Sequence, residues 1–65
     1  MIIICNGSKR EVENRTLTDV LRELGFSQTM IATAVNGRFV PARQRDCILL
    51  DAGDAIEVVT PRQGG

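Results

Sequence analysis

The chain has 65 residues, of which eight are basic and eight acidic, and it contains no histidine, tryptophan or tyrosine. A chain of this length forms one domain and buries only about 60% of the surface that its unfolded form exposes, which leaves little room for a deep active site. Its net charge of zero argues against binding to nucleic acid or to a membrane through basic residues. Without histidine, the usual catalytic triads and most zinc sites are excluded.

The start of the chain and its two cysteines indicate the cellular compartment of the protein. Met1 leads directly into a short apolar run without a basic segment, so we expect no signal peptide. No apolar stretch approaches the roughly 20 residues needed to cross a bilayer. Cys5 and Cys47 are too few for a disulfide scaffold and lack the spacing of a CxxC pair. We therefore expect a cytoplasmic protein with reduced thiols.

The first predicted element is a strand from Met1 to Cys5. This run is short, apolar and β-branched, which is typical of a strand covered on both faces. Asn6 and Gly7 tolerate positive φ and predict a hairpin turn. Residues 9–12 are more polar and predict the return strand at an edge of the sheet.

A helix follows the hairpin. Its evidence is a stripe of apolar residues at helical spacing, formed by Leu17, Val20, Leu21 and Leu24. Thr16 is a suitable N-cap, with Asp19 at the third helical position. Gly25 suits the left-handed conformation that ends many helices. The helix has only about two turns, so packing must stabilise it.

The second half of the chain predicts three further strands. Residues 31–35 form a strand, Asn36 and Gly37 form a second hairpin turn, and residues 38–40 return until Pro41 ends the ladder.

Residues 42–49 predict an exposed turn or short helix, after which Ile48 and Leu49 return to the core. Residues 50–54 form a turn, and residues 55–60 form the last strand, with Ile56 and Val58 on one face.

This order of elements predicts an α+β fold in which a small mixed sheet packs on one helix. A right-handed crossover through the helix brings a later strand parallel to the first one. We therefore expect the first and last strands to lie at the centre of the sheet. Residues 1–60 form the domain, and residues 61–65 have nothing to bury and form a flexible C-terminal tail.

Several short motifs follow one another along the whole chain. They are Asn-Gly at 6–7, the helical stripe, Ala-Val-Asn-Gly at 34–37, Val-Pro at 40–41, the run Asp-Ala-Gly-Asp-Ala-Ile-Glu-Val-Val at 51–59, and Gly-Gly at 64–65. In this order and spacing the chain resembles the ThiS family, the sulfur carriers of thiamin biosynthesis. The resemblance implies the β-grasp (ubiquitin-like) form of the α+β fold.

The resemblance further implies that the chain is not an enzyme but a protein co-substrate. A ThiF-like, E1-like adenylyltransferase adenylates the carboxylate of Gly65, and the adenylate is converted to a thiocarboxylate. A ThiG-like thiazole synthase receives the sulfur, which comes from a donor such as a cysteine desulfurase. ATP and Mg²⁺ belong to the activating enzyme, so we expect this chain to bind no cofactor and no metal.

The tail has the physical properties that this chemistry needs. Residues 60–65 span at most about 20 Å when extended, which is enough to carry a terminal carboxylate into a partner's cleft. Glycine lacks Cβ, so a Gly-Gly end brings its backbone close to another surface. Gly65 is therefore the predicted reacting residue. The residues predicted to bind the partner are Pro61, Arg62, Gln63 and Gly64.

Two other functions are consistent with the same residues. A sulfur carrier of the molybdopterin synthase type (MoaD-like) would use the same tail chemistry. A non-catalytic ubiquitin-like interaction module would bind partners through its sheet and would not need the Gly-Gly end. Removing the two glycines discriminates the module from both carriers.

The remaining reactive side chains receive structural interpretations. Cys5 lies among apolar neighbours and is interpreted as a small buried hydrophobe. Cys47 follows an acidic residue and has no neighbour in the sequence that would activate a thiol. Asp51, Asp54 and Glu57 are interpreted as turn and strand-surface residues, because their spacing does not match a calcium or magnesium site.

Overall fold

The computed structural model describes residues 1–26 and 30–60, which form a five-stranded mixed sheet packed on one α-helix. In chain order the elements are β1 (Ile2–Cys5), β2 (Ser8–Glu11), α1 (Leu17–Glu23), β3 (Ala32–Val35), β4 (Arg38–Val40), a 3₁₀ helix (Ala42–Cys47) and β5 (Ala55–Val59). The strand order is β2-β1-β5-β3-β4, with β1 and β5 parallel and every other pair antiparallel. The predicted central position of the first and last strands is confirmed.

Both hairpins form as the two Asn-Gly pairs predict. Asn6 and Asn36 have φ of 51° and 50°, and the glycines that follow have φ of 85° and 84°. Positive φ at both central positions gives the turn whose twist matches that of the flanking strands. The turns therefore set the register of both hairpins, in which Cys5 pairs with Ser8 and Val35 pairs with Arg38.

The predicted capping residues are found at both ends of helix α1. The Thr16 side chain accepts a hydrogen bond from the Asp19 N–H at 3.3 Å. At the other end Gly25 has φ of 95°, and the Phe26 N–H donates to the Leu21 carbonyl at 2.8 Å. This bond belongs to the Schellman pattern, in which a left-handed glycine lets the chain turn back on the last helical turn.

Burial of one face of the sheet and one side of α1 forms the core. Its members among the described residues are Ile3, Cys5, Val12, Leu17, Val20, Leu21, Ile31, Val40, Leu50, Ile56 and Val58. Leu24, the last member of the predicted stripe, is only half-buried because it caps the helix. In the part of the chain that the structure describes, no helix has the length and apolar character needed to span a membrane.

Two expectations about burial are wrong. Strand β1 is not covered on both faces, because α1 packs on one face only and Ile2 remains 46% exposed. Leu49 does not return to the core. It forms a bridge with Thr16 and is 63% exposed, whereas Leu50, which was assigned to the following turn, is fully buried. The segment is extended here, so adjacent side chains point in opposite directions.

The 3₁₀ helix shows how the exposed segment after Pro41 is attached to the sheet. The Arg45 guanidinium donates to the Ile31 carbonyl at 2.6 Å and to Thr33 Oγ1 at 3.2 Å. The Thr33 hydroxyl in turn donates to the Val40 carbonyl at 2.9 Å. Arg45 is therefore half-buried and structural, and it links the 3₁₀ helix to the ends of β3 and β4.

Candidate functional site

The tail leaves the sheet from its middle strand. Strand β5 lies between β1 and β3, and its last paired residue is Val59, opposite Ala32. The next residue, Thr60, is exposed and is the last one described. The predicted tail is therefore attached to the central strand of the sheet, and the sheet fixes the position of the residue before it.

On the β1 side, the end of β5 is held by a side chain rather than by a strand. The ladder between β1 and β5 pairs Ile4 with Ala55 and Cys5 with Ile56, and then β1 ends in its turn. The Asn6 N–H donates to the Ile56 carbonyl at 3.0 Å. Asn6 Oδ1 then accepts from the Val58 N–H at 2.9 Å, and Asn6 Nδ2 donates to the Val58 carbonyl at 3.2 Å. The amide of Asn6 thus acts as one further peptide group of β1.

The second Asn-Gly turn makes the corresponding contacts at the start of the same strand. The Asn36 N–H donates to the Ala55 carbonyl at 2.7 Å, and Asn36 Oδ1 accepts from the Ala55 N–H at 2.9 Å. Its Nδ2 donates to Asp54 Oδ1 at 3.1 Å. The two asparagines therefore bind opposite ends of β5, and only Asn6 lies at the end from which the tail leaves.

The sheet face opposite α1, here called the outer face, carries apolar side chains near the end of β5, with Glu57 as a charged neighbour. Register places Val59 with Ala32 on this face, and Ala34 with Phe39. Val59 is 62% exposed and Phe39 is 69% exposed. Exposed apolar side chains that cluster on one face mark an interaction surface, whereas isolated ones do not.

A shallow depression lies at the other end of β5. It has a volume of about 580 Å³ and is bounded by Phe39, Leu49, Asn36, Asp54 and neighbouring residues. Asn36 and Asp54 contact or precede the first residue of β5, so this depression is next to the start of that strand, at the opposite end from Val59.

Neither thiol lies with the outer face. Cys5 is buried in the core, and burial raises the pKa of its thiol, an effect that the nearby Arg10 guanidinium partly offsets. Cys47 is exposed at the end of the 3₁₀ helix. Both are free thiols.

The three acidic residues of the last turn and strand have the structural roles expected of them. Asp54 Oδ2 accepts from the Asp51 N–H at 2.8 Å, which closes the turn before β5. Asp51 also forms an exposed ion pair with Arg15 at 3.3 Å. Glu57 pairs with Ala34 on the outer face. Across residues 1–26 and 30–60, no group of three or more acidic or cysteine side chains is placed to hold a metal ion.

The predicted site residues themselves, Pro61, Arg62, Gln63, Gly64 and Gly65, lie outside the described residues, so their roles stay predictions. Reasoning from the sequence missed the amide of Asn6 and the exposed apolar surface at Val59. The Asn-Gly pair was informative only about its own turn, because the sequence does not show which strand lies beside that turn.

Comparisons with known proteins agree with this architecture. The sequence model described as the ThiS family matches residues 3–65. The sulfur carrier protein ThiS of Thermus thermophilus is 39% identical over 61 residues, which cover 92% of this chain and 94% of that protein.

Two solved structures of a thiamine biosynthesis protein from Geobacter metallireducens are also similar. The crystal structure, of the protein named ThiS, has a TM-score of 0.84 at 25% identity and matches over the full length of both chains. The solution structure has a TM-score of 0.80 at 25% identity, covering all of this chain and 88% of the other. The expected β-grasp fold is thereby confirmed, and the chain belongs to the ThiS family, the sulfur carriers of thiamin biosynthesis.

Proposed function

We propose that this sulfur carrier holds its sulfur at Gly65, as a thiocarboxylate formed from the terminal carboxylate. The observation that carries the proposal is the match to the ThiS family through residue 65, on a chain whose fold ends in a central strand at Val59. The chain supplies the acyl group and its attachment to a folded sheet. It is a carrier and not a catalyst.

The chemistry takes place in two displacement steps on a partner enzyme. A carboxylate is a poor acyl donor, so an oxygen of the Gly65 carboxylate first attacks the α-phosphorus of ATP and pyrophosphate leaves. A sulfur nucleophile at the oxidation level of sulfide then attacks the acyl carbon of the adenylate. The C–S bond forms as the C–O bond to AMP breaks, which leaves the thiocarboxylate.

The partners in this scheme are a ThiF-like, E1-like adenylyltransferase and a ThiG-like thiazole synthase, with a cysteine desulfurase as a sulfur donor. The desulfurase supplies sulfur as a persulfide, and a thiol reductant attacks that persulfide, forms a disulfide and releases the sulfur at the level of sulfide. ATP and Mg²⁺ bind to the adenylyltransferase, and this chain binds no cofactor of its own. Because the activation step consumes ATP, we place it in the cytoplasm.

The outer face is where the adenylyltransferase docks. The tail starts beside Val59, so an enzyme that binds Gly65 lies close to this residue and covers the neighbouring apolar side chains. Ala32 and Ala34 present little bulk on this face, and Phe39 extends the apolar surface toward the edge of the sheet. Pro61, Arg62, Gln63 and Gly64 join this surface to the reacting carboxylate.

Intact-mass analysis tests the proposal directly. The chain is incubated with its adenylyltransferase, ATP, Mg²⁺ and a sulfide source, and it should gain the mass of one sulfur in place of one oxygen at its C-terminus. Deleting Gly65 moves the carboxylate back by about 3.5 Å, which is more than near-attack geometry tolerates, so this variant should gain none. Gly64→Ala keeps the length but adds a Cβ and restricts φ, so conversion should be slowed rather than abolished.

Both variants should melt at the temperature of the wild-type chain, because the tail lies beyond the last described strand. This equality is the control for folding. If the chain without Gly65 is converted as fast as wild type, the carboxylate of residue 65 is not the acceptor and the interaction-module alternative replaces the carrier chemistry.

A further inference from the structure

We propose that Asn6 is a positioning residue for sulfur loading, because its side-chain amide fixes the point at which the tail leaves the sheet. The proposal rests on the function proposed above. It concerns a residue far from Gly65 in the sequence, whose side-chain hydrogen bonds among the described residues are to Val58.

The end of β5 is supported differently on its two sides. On the β3 side, backbone pairing continues to Val59, opposite Ala32. On the β1 side, strand pairing stops at Cys5 and Ile56. Beyond that pair, the hydrogen bonds of the Asn6 amide to Val58 N–H and carbonyl oxygen continue the ladder.

Removing the Asn6 amide takes away the support of β5 on the β1 side. Without it, the last residues of β5 are held from the β3 side alone and become an edge that frays more easily. The tail then begins from a less ordered segment. A partner that binds Gly65 must order that segment again, and this cost appears as weaker binding of the carrier.

Asn36, in the second Asn-Gly turn, provides a control for Asn6. Asn36 has the same backbone conformation as Asn6, is also followed by glycine, and also makes two side-chain hydrogen bonds, one with the first residue of β5 and one with the residue before it. Its bonds lie at Ala55 and Asp54, at the start of the strand. Loss of either amide removes two side-chain hydrogen bonds, but the Asn36 bonds are to the first residue of β5 and to the turn before it, so only loss of the Asn6 amide loosens the end that carries the tail.

The experiment compares Asn6→Gly with Asn36→Gly in adenylation by the partner enzyme, with the concentration of the carrier varied. Glycine keeps the positive φ of each turn, so the hairpins are retained. Asn6→Gly should raise the KM for the carrier by about 3- to 10-fold, as expected for the loss of one or two net hydrogen bonds from an ordered segment, with kcat within about twofold of wild type. Asn36→Gly should leave both constants within about twofold of wild type.

A further variant separates the two bonds of the Asn6 amide. Asn6→Asp keeps the oxygen that accepts from the Val58 N–H, but its second carboxylate oxygen replaces the donor and faces the Val58 carbonyl oxygen, so its KM should rise above that of wild type. Hydrogen exchange of the Val58 amide should be faster in Asn6→Gly than in wild type. Hydrogen exchange is measured on the carrier alone, so it needs no partner enzyme.

Each outcome decides the role of Asn6. Equal increases in KM for Asn6→Gly and Asn36→Gly would mean that the amide acts through general stability, and no increase for either would mean that the position of the tail does not depend on it. Both results overturn the inference while leaving adenylation of the wild-type chain intact. A wild-type chain that is not adenylated overturns the proposed function, and the role of Asn6 in loading fails with it.

Discussion

Replacing either of two adjacent leucines by alanine gives a matched test of the packing. Leu50 is fully buried, whereas Leu49 is 63% exposed, so the same chemical change is made one residue apart in opposite environments. Leu50 is held in place by backbone contacts with the segment before α1, where its N–H donates to the Arg15 carbonyl at 2.8 Å. The prediction is that Leu50→Ala is strongly destabilising and Leu49→Ala is not.

The expected magnitude follows from burial. Leu50→Ala loses the transfer free energy of the removed carbons and leaves a cavity that the surrounding chain fills only in part, so the free energy of unfolding should fall by about 2–5 kcal/mol. For a domain of this size that is a large part of the total stability, and each kcal/mol lowers Tm by roughly 4–8 °C. Leu49→Ala should change the free energy of unfolding by about 0.5 kcal/mol or less.

Urea denaturation followed by circular dichroism measures both values, and an unchanged slope confirms that the two-state comparison is valid. If Leu50→Ala unfolds too readily to give a native baseline, Leu50→Val gives a smaller loss of the same sign. Two variants with equal midpoints, or a larger loss for Leu49→Ala, would show that the register of residues 48–50 against residues 15–17 is wrong.

Two other changes test docking and acid stability. Val59→Glu on the outer face should raise the KM for the carrier in adenylation by about tenfold or more, because it places an unpaired charge in an apolar contact. The control is Ser8→Glu, at an exposed position that pairs with the core residue Cys5 and so lies off the outer face, and it should leave KM unchanged. Equal effects of the two variants would exclude the outer face. Backbone N–H groups of residues 13–14 donate hydrogen bonds to the Glu23 carboxylate and lower its pKa. The ionised carboxylate therefore stabilises the fold above about pH 4.3, the ordinary pKa of an unfolded glutamate. This stabilisation is lost as the pH falls through the lower pKa of the folded state. Glu23→Gln should therefore flatten the acid limb of a plot of urea midpoint against pH, and an unchanged limb would contradict this assignment.

Much of the fold was predictable because its signals are local. An Asn-Gly pair needs only its own backbone conformation to specify a hairpin, and Thr16 and Gly25 need only the adjacent helical turn to specify where α1 begins and ends. The alternation of Ile56 and Val58 also requires nothing beyond β5 itself. Each of these features is determined by a few adjacent residues, so it can be predicted from the local sequence.

The features that were missed depend on contacts between distant segments. Whether Leu49 or Leu50 faces the core is decided by the pairing of their segment with the residues before α1, since a shift of one residue reverses every side chain. The half-buried position of Arg45 depends on the carbonyl of Ile31 and the hydroxyl of Thr33, which lie in another part of the chain. No pattern within residues 42–50 contains that information.

The two Asn-Gly turns show how one local motif acquires a second role through topology. Because β5 enters the sheet between β1 and β3, the turn that follows each of those strands lies beside one of its ends. Each asparagine, whose left-handed backbone conformation forms its turn, has an amide left over to bind β5. At the end of β5, the bonds of the Asn6 amide reduce the number of residues that a partner must order when it binds Gly65. Ordering one additional residue costs about 1–2 kcal/mol, so even partial fraying of the end of β5 would weaken loading with every tail residue unchanged. The sequence of the tail therefore does not by itself determine how well this carrier is loaded, and the strand that presents the tail contributes to the affinity.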